Sequence, residues 1–155
     1  MISPELLRRY PFFSQLSDAN LKAIAMISDQ REVEAGALIY EEGQSADYFY
    51  FLIDGSIDLT YSVGEGLVPK TRKVFQVGEI NPGDVFGISG LVEPFIINIS
   101  GKAANNCHFI AIDAKALRAM MEMDNHMGYV FMTQVAKAAV EQIIALRIQL
   151  GAAWA

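Results

Sequence analysis

Ten glycines punctuate residues 31–113, and their spacing limits the possible folds more than any other feature of the chain. They stand at positions 36, 43, 55, 64, 66, 78, 83, 87, 90 and 101, between short apolar segments. Short apolar segments separated by glycine-containing turns are typical of β-sandwiches and barrels. We therefore predict that residues 31–113 form a body of many short strands.

The segment YFYFLIDGSIDLTYSV contains the clearest strand signal. Tyr48–Ile53 is a continuous aromatic and aliphatic run, which suits a strand buried on both faces. Residues 57–63 then alternate between apolar and polar side chains with a period of two. Asp54-Gly55 lies between the two runs and predicts a hairpin turn, because glycine accepts the positive φ that such a turn needs. Residues 107–112 are predicted to be the last strand.

Short helices are predicted over residues 1–30, before the β body. Leu6 and Leu7 indicate a short helical piece that Pro11 ends. Residues 17–27 indicate a second helix, for which Ser17 and Asp18 both offer N-caps and which has apolar side chains on one face.

Two helices are predicted over residues 114–150, after the β body. Asp113 is expected to cap the first, which ends near Met123. The second starts at Asp124 or Asn125 and runs to Leu150, and no further element is predicted for the tail. The whole chain, residues 1–155, is thus predicted to be a single domain.

The long final helix has apolar side chains on two sides. On one side, apolar residues recur at intervals of 4, 3, 4, 3 and 4 residues, which is the spacing of a coiled-coil seam. A second apolar line contains Phe131, Val135 and Ile144. Such a helix needs two partners, and the simplest pair is the β body and the same helix of a second chain; the alternative is that the chain's own core covers both sides. The predicted homodimer seam consists of Met132, Ala136, Ala139, Ile143, Leu146 and Leu150.

Composition and charge exclude several classes of function. The net charge is −6, whereas a nucleic-acid-binding domain is expected to carry a basic patch, so no nucleic-acid partner is predicted. There is no signal peptide and no long uncharged apolar run, so we predict a cytoplasmic protein without a membrane partner. Cys107 is the only cysteine, which excludes an intrachain disulfide and an iron–sulfur cluster. Because His108 and His126 lack metal-ligand spacing and no catalytic motif is found, we predict no metal, no cofactor and no enzymatic activity.

The chain resembles a known family. EAGALIYEEGQSADYFYFLIDGSIDLT is similar to the glycine-spaced first half of a cyclic-nucleotide-binding domain, INPGDVFG to its next landmark and CHFIAID to its last strand. The long final helix resembles the dimerisation helix of bacterial effector domains of the catabolite-activator type. This resemblance covers roughly residues 10–150 and implies an eight-stranded antiparallel β-roll, jelly-roll-like and flanked by helices. The matching residues of the first half are Gly36, Ile39, Gly43, Tyr50, Leu52, Gly55 and Ile57.

Two polar anchors of this family are missing from the sequence. The family's binding cassette follows Phe-Gly-Glu and ends in Arg-Ala-Ala or Arg-Ser-Ala; its Glu accepts a hydrogen bond from the ribose 2′-hydroxyl and its Arg pairs with the cyclic phosphate. Here Phe86 and Gly87 match, but Ile88 occupies the Glu position. Counting back from CHFIAID puts Ile97 near the Arg position. The phosphate-binding cassette is therefore degenerate.

A mostly apolar pocket is predicted at this cassette, with Ser89 and Asn98 as orienting polar groups. Lys102 is the nearest cation in the sequence, although strand alternation leaves its direction open. Gln142 and Arg147 are the polar groups of the long helix best able to reach the pocket. The candidate ligand-binding residues are Phe86, Gly87, Ile88, Ser89, Gly90, Leu91, Phe95, Ile97, Asn98, Ile99 and Gln142.

Three functions stay open from the sequence. The first is a sensor for a small apolar or neutral metabolite, and the second is a dimeric interaction module with a filled pocket and an unidentified protein partner. The third is a cAMP- or cGMP-binding protein that uses non-standard anchors. All three are regulatory roles. DNA-binding relatives carry a helix-turn-helix after the long helix, and since this sequence ends at Ala155, direct DNA binding is not expected.

Overall fold

A computed structural model describes residues 1–63 and 73–154 of the chain. The strands in this part are β1 (Ser28–Val33), β2 (Leu38–Tyr40), β3 (Tyr48–Asp54), β4 (Ile57–Val63), β5 (Lys73–Ile80), β6 (Val85–Phe86), β7 (Ser100–Ala103) and β8 (Cys107–Asp113). They form two four-stranded antiparallel sheets, with the orders β1-β8-β3-β6 and β2-β7-β4-β5. The predicted eight-stranded antiparallel β-roll is confirmed, although the body begins at Ser28 rather than at residue 31.

The predicted hairpin at Asp54-Gly55 is wrong, because β3 and β4 lie in different sheets. Strand β3 pairs with β8 and β6, whereas β4 pairs with β5 and β7. Gly55 does have a positive φ, at 98°, but its turn carries the chain from one sheet to the other. Residues 49–52 are all buried, and a strand that is apolar on both faces suits the interior of a sheet rather than one arm of an isolated hairpin.

The N-terminal helices follow the predicted pattern. Helix α1 (Pro4–Arg8) is followed by a 3₁₀ turn at Pro11–Phe13, and helix α2 spans Asp18–Met26. The Ser17 hydroxyl accepts a hydrogen bond from the backbone N–H of Asn20 at 3.2 Å, so Ser17 is the N-cap of the two candidates that the sequence offers.

The C-terminal helices are α3 (Ala114–Met123) and α4 (Asn125–Trp154). The Asp113 carboxylate accepts a hydrogen bond from the backbone N–H of Ala116 at 2.9 Å and so caps α3 as predicted. The predicted end of α4 at Leu150 is wrong, since the helix continues through Gly151. A single glycine costs a helix only about 1 kcal/mol relative to alanine, and Ala152 and Ala153, which follow it, favour helix most strongly.

Two hydrophobic cores hold the elements together. One lies between the helices and the first sheet, where the Phe131 ring of α4 contacts Phe12 and Phe49 at ring-centroid distances of 5.5 Å. The other fills the inside of the roll. Along α4 the last buried side chain is Val135, so the second half of this helix leaves the core. None of the described helices combines the length and apolar character needed to cross a lipid bilayer.

Candidate functional site

A cavity of about 240 Å³ lies at the turn that follows β6, between the inside of the roll and helix α4. Strands β2, β4 and β5 supply part of its wall, and the segment from β6 to β7 supplies most of the rest. Its lining consists of Tyr40, Leu59, Ile80, Phe86, Gly87, Ile88, Ser89, Val92, Ile97, Asn98, Ile99 and Gln142.

Close packing fixes the backbone at Phe86 and Gly87. The Phe86 ring stacks on Tyr50, with ring centroids 4.8 Å apart and an interplanar angle of 10°. Gly87 has a φ of 70°, and a Cβ atom there would lie 2.7 Å from Cδ2 of Tyr50 and 3.1 Å from the Tyr48 carbonyl oxygen. Both the conformation and the space therefore require glycine. A short 3₁₀ helix, Ile88–Leu91, follows directly.

The polar groups of the cavity are neutral. The Ser89 hydroxyl lies 3.4 Å from Oδ1 of Asn98. Burial raises the pKa of the Tyr40 hydroxyl far above its ordinary value, and a backbone hydrogen bond with Gly87 offsets only part of this rise. Tyr40 is therefore an uncharged O–H group at any physiological pH.

Within residues 1–63 and 73–154, no side chain that lines the cavity carries a positive charge. Lys102 is exposed on β7, where it stands opposite Asp58 of β4, and it does not reach the cavity. Arg147 is exposed on α4 and does not line it either. A phosphate in this cavity would therefore meet no compensating cation from the described chain.

Residues Gly90, Leu91 and Phe95 do not line the cavity, contrary to prediction. A Cβ atom on Gly90 would lie 3.0 Å from the Tyr48 carbonyl oxygen and 3.1 Å from Cβ of Ala114, so this position packs against the body. Leu91 belongs to the core between the helices and the first sheet. The 3₁₀ helix turns these two positions away from Ile88 and Ser89, which do line the cavity. The other predicted lining residues are Phe86, Gly87, Ile88, Ser89, Ile97, Asn98, Ile99 and Gln142, and each of them borders it.

Phe95 instead packs under Arg118 of α3. The guanidinium carbon of Arg118 lies 3.8 Å from the Phe95 ring centroid, and its Nη1 donates a hydrogen bond to the Gly90 carbonyl. Phe95 itself has a φ of 58°. These contacts attach the segment between β6 and β7 to α3. The sequence offers no signal for Arg118, because its partners lie more than 20 residues away.

Four further lining residues were missed, namely Tyr40, Leu59, Ile80 and Val92. The alternation of residues 57–63 does indicate that Leu59 points inwards. Tyr40 and Ile80 are the last residues of β2 and β5, and nothing in their local sequence distinguishes them from ordinary core residues.

Helix α4 borders both this cavity and a neighbouring cleft. The Gln142 amide donates a weak hydrogen bond to the Val85 carbonyl at 3.4 Å, and thus connects α4 to the cassette. The cleft, of about 540 Å³, lies between β5 and α4 and has Leu146 in its wall. The cavity and the cleft adjoin, since both are lined by Leu59, Asn98, Ile99 and Gln142.

Most residues of the predicted seam are exposed. Met132 and Ala139 are half-buried and Ala136 is exposed. Ile143, Leu146 and Leu150 expose 46%, 41% and 61% of their surface. No part of the described chain buries these three side chains, which leaves the homodimer as a prediction.

Comparisons with known proteins agree with this architecture. The sequence pattern of the family described as "Cyclic nucleotide-binding domain" matches residues 30–124, more than half of the chain. A provisionally named cyclic nucleotide-binding protein from Geobacter metallireducens is 34% identical in sequence; its crystal structure aligns with a TM-score of 0.81 over 92% of this chain and 99% of that chain. Fold and family match together identify a regulatory, sensor-type β-roll. The chain belongs to the cyclic nucleotide-binding domain family.

More distant relatives are larger proteins that match this chain over part of their length. The regulatory domain of Toxoplasma gondii PKA, crystallised with cAMP, aligns with a TM-score of 0.71 at 21% identity, over 88% of this chain and 48% of that chain. A provisionally named potassium channel protein from Rhodopseudomonas palustris is 22% identical over 121 residues, which is 78% of this chain. The chain spans 27% of the length of that curated relative.

Proposed function

We propose that this chain is a non-enzymatic sensor module whose cavity binds a small, uncharged and mostly apolar molecule instead of a cyclic nucleotide. The observation that carries the proposal is the lining of the cavity. Ile88 and Ile97 border it at the two anchor positions, and no described lining residue is cationic. The cavity has an open volume of about 240 Å³, whereas in a vestigial pocket these same side chains are expected to fill the roll.

The missing cation has a large energetic effect. Removing one partner of a desolvated charge pair costs about 2–5 kcal/mol, or roughly 30- to several-thousand-fold in affinity. Backbone N–H groups near Ser89 can still donate hydrogen bonds to a phosphate, but they supply no full charge. A ligand without a phosphate loses nothing here, whereas apolar walls with a few neutral polar groups are what an uncharged metabolite needs.

The seam on α4 is proposed to make the protein a homodimer. Exposed Ile143, Leu146 and Leu150 are poor choices for a lone solvent-facing helix, and a second copy buries all three by the same contacts on both sides. Because Gln142 touches the cavity and Leu146 borders the adjoining cleft, a ligand would contact the roll and α4 together. Ligand binding would then favour one angle of α4 and so one dimer arrangement. A cytoplasmic location stays a prediction.

Isothermal titration tests the choice of ligand. We expect no heat from cAMP or cGMP up to millimolar concentration. As a neutral probe, indole should raise the melting temperature of the protein, since a ligand that binds only the native state stabilises it. In Ile99→Trp the added ring occupies the cavity and should abolish the indole effect, while Ile96→Trp, at an exposed position outside the cavity, should retain it. Micromolar cAMP or cGMP binding would instead make the chain a true cyclic-nucleotide-binding protein with non-standard anchors.

A gain-of-function variant tests the reason for the missing binding. Restoring both anchors in Ile88→Glu/Ile97→Arg places a carboxylate and a guanidinium on the cavity wall, and we expect measurable cAMP binding. The matched control, Ile88→Glu/Ile96→Arg, adds the same charges but puts the cation on an exposed side chain outside the cavity. Equal cAMP binding by both double variants would contradict the role assigned to position 97.

A further inference from the structure

A further pocket borders Gly87 in the turn that follows β6, which is called the cassette turn below. It encloses about 200 Å³ and is referred to as the outer pocket. Arg31 of β1, the loop residues 44–47 and the tyrosines of β3 supply most of its wall. Tyr40, Gly87 and Ile97 line both the outer pocket and the main cavity, so the two spaces share a wall.

Arg31 is the chemically distinctive group of the outer pocket. Its guanidinium carbon lies 4.2 Å from the Tyr48 ring centroid, and the side chain is half-buried. Within the described ranges, no Asp or Glu oxygen lies within 4.0 Å of its nitrogens. Stacking uses the face of the guanidinium and leaves its N–H donors, which lie in the plane, open to an anion. In the part of the chain that the structure describes, the fold thus holds a cation in a pocket without a direct ion pair.

The remaining polar groups complete a small binding site. Oε1 of Gln44 accepts a hydrogen bond from the Glu41 N–H at 3.1 Å, which leaves the Gln44 amide N–H₂ as a donor. Burial raises the pKa of Tyr50 to about 12, so its phenol is an uncharged donor. Asp47 accepts the Ser45 hydroxyl at 2.8 Å and adds one negative charge to the lining. A plain anion would be repelled by Asp47, whereas an anion that also carries a donor can satisfy both charges.

We propose that the outer pocket binds a small carboxylate that also carries an O–H or N–H donor, as in a hydroxy acid or an amino acid. Arg31 receives the carboxylate in a bidentate contact, and Asp47 accepts the donor. The outer pocket is separate from the main cavity, and this proposal does not depend on the ligand proposed for the main cavity. Through Tyr40, Gly87 and Ile97, however, an occupant of the outer pocket touches residues that the main cavity also uses.

Titration with glycolate, glycine, acetate and inorganic phosphate, followed by amide chemical shifts in NMR spectra, tests this site. We expect saturable shifts for glycolate or glycine around Arg31, Asp47 and Gly87, and binding at least about tenfold weaker in Arg31→Gln. Arg9→Gln is the matched control, because Arg9 is exposed on the surface and lies outside the pocket. Both variants lose one positive charge, so a general charge effect would appear equally in each.

A second variant tests the selectivity. Asp47→Asn removes the negative charge, so the preference for glycolate over acetate should shrink, while acetate itself should bind more tightly. Three results would overturn the proposal: no saturable shift with any probe, equal binding by wild type and Arg31→Gln, or a phosphate response stronger than the glycolate response. Unchanged far-UV circular dichroism in the variants ensures that a loss of binding is not a loss of fold.

Discussion

Replacing Gly87 by alanine tests how strongly the cassette turn depends on glycine. The backbone there has a φ of 70°, which costs an alanine about 1–2 kcal/mol. The new methyl group would also lie 2.7 Å from the Tyr50 ring and 3.1 Å from the Tyr48 carbonyl oxygen. The ring is stacked on Phe86 and buried, so it cannot move freely, and overpacking of this kind costs about 1–3 kcal/mol.

The sum predicts that Gly87→Ala lowers the free energy of unfolding by about 2–5 kcal/mol. A central value of about 3 kcal/mol corresponds to a fall in melting temperature of roughly 6–12 °C for a chain of this size. Urea denaturation followed by far-UV circular dichroism measures the change directly. Because the same residue borders the main cavity, indole stabilisation should weaken in parallel.

Gly36→Ala separates the two contributions. Gly36 has a φ of 88°, but a Cβ atom there would meet nothing within 4 Å. This variant should therefore lose only the conformational part, about 1–2 kcal/mol. If Gly87→Ala were no less stable than Gly36→Ala, the Tyr50 contact would not constrain the turn, and the reasoning would be refuted.

Three further predictions concern the helices. Ile143→Asp should convert the dimer to a monomer because it places an unpaired charge in the seam. The control Lys22→Asp, on α2, should leave the dimer intact. An unchanged sedimentation coefficient in Ile143→Asp would rule out the seam. Arg118→Ala should lower the free energy of unfolding by about 1–2 kcal/mol and speed amide hydrogen exchange at Phe95. Lys115→Ala is the exposed control. Unaltered exchange in Arg118→Ala would mean that Arg118 does not restrain the segment between β6 and β7. Burial and, less strongly, the Glu141 carboxylate raise the pKa of Asp84. The native state therefore binds the Asp84 proton more tightly than the unfolded chain does, and stability falls as pH rises through the range in which Asp84 titrates. Glu141→Gln should lower the Asp84 pKa in a carboxyl NMR titration, and an unchanged Asp84 pKa would exclude the Glu141 effect.

The strands and helices were predictable because burial has a direct signature in the sequence. The apolar run Tyr48–Ile53 correctly indicates a strand covered on both faces. Its partners were not predictable, since β6 and β8 follow it at long and unequal distances and no local pattern encodes which strands pair. The end of α4 was missed for a related reason: the weak helix preference of Gly151 is overridden by its neighbours.

At the candidate site, the positions of the motif residues were more predictable than the directions in which their side chains point. Phe86 and Gly87 marked the cassette turn, and Ile88 and Ile97 do border the cavity next to it. Gly90 and Leu91 do not line the cavity because a 3₁₀ turn changes the direction of successive side chains, and the sequence does not show that rotation. Arg118 and Arg31 act through rings that lie far from them in sequence, so their contacts appear only in three dimensions.

Because α4 extends far beyond the core, a small change in its direction near the cavity displaces its C-terminal end by a larger distance. The helix leaves the core after Val135, touches the cassette at Gln142 and continues without a break to Trp154. At a rise of 1.5 Å per residue, about 18 Å of helix lies beyond Gln142. A tilt of about 10° at that point would displace the tip by about 3 Å, nearly the size of a methylene-to-methylene contact. A change of helix direction that starts at Gln142 thus has its largest effect at the C-terminal end of α4.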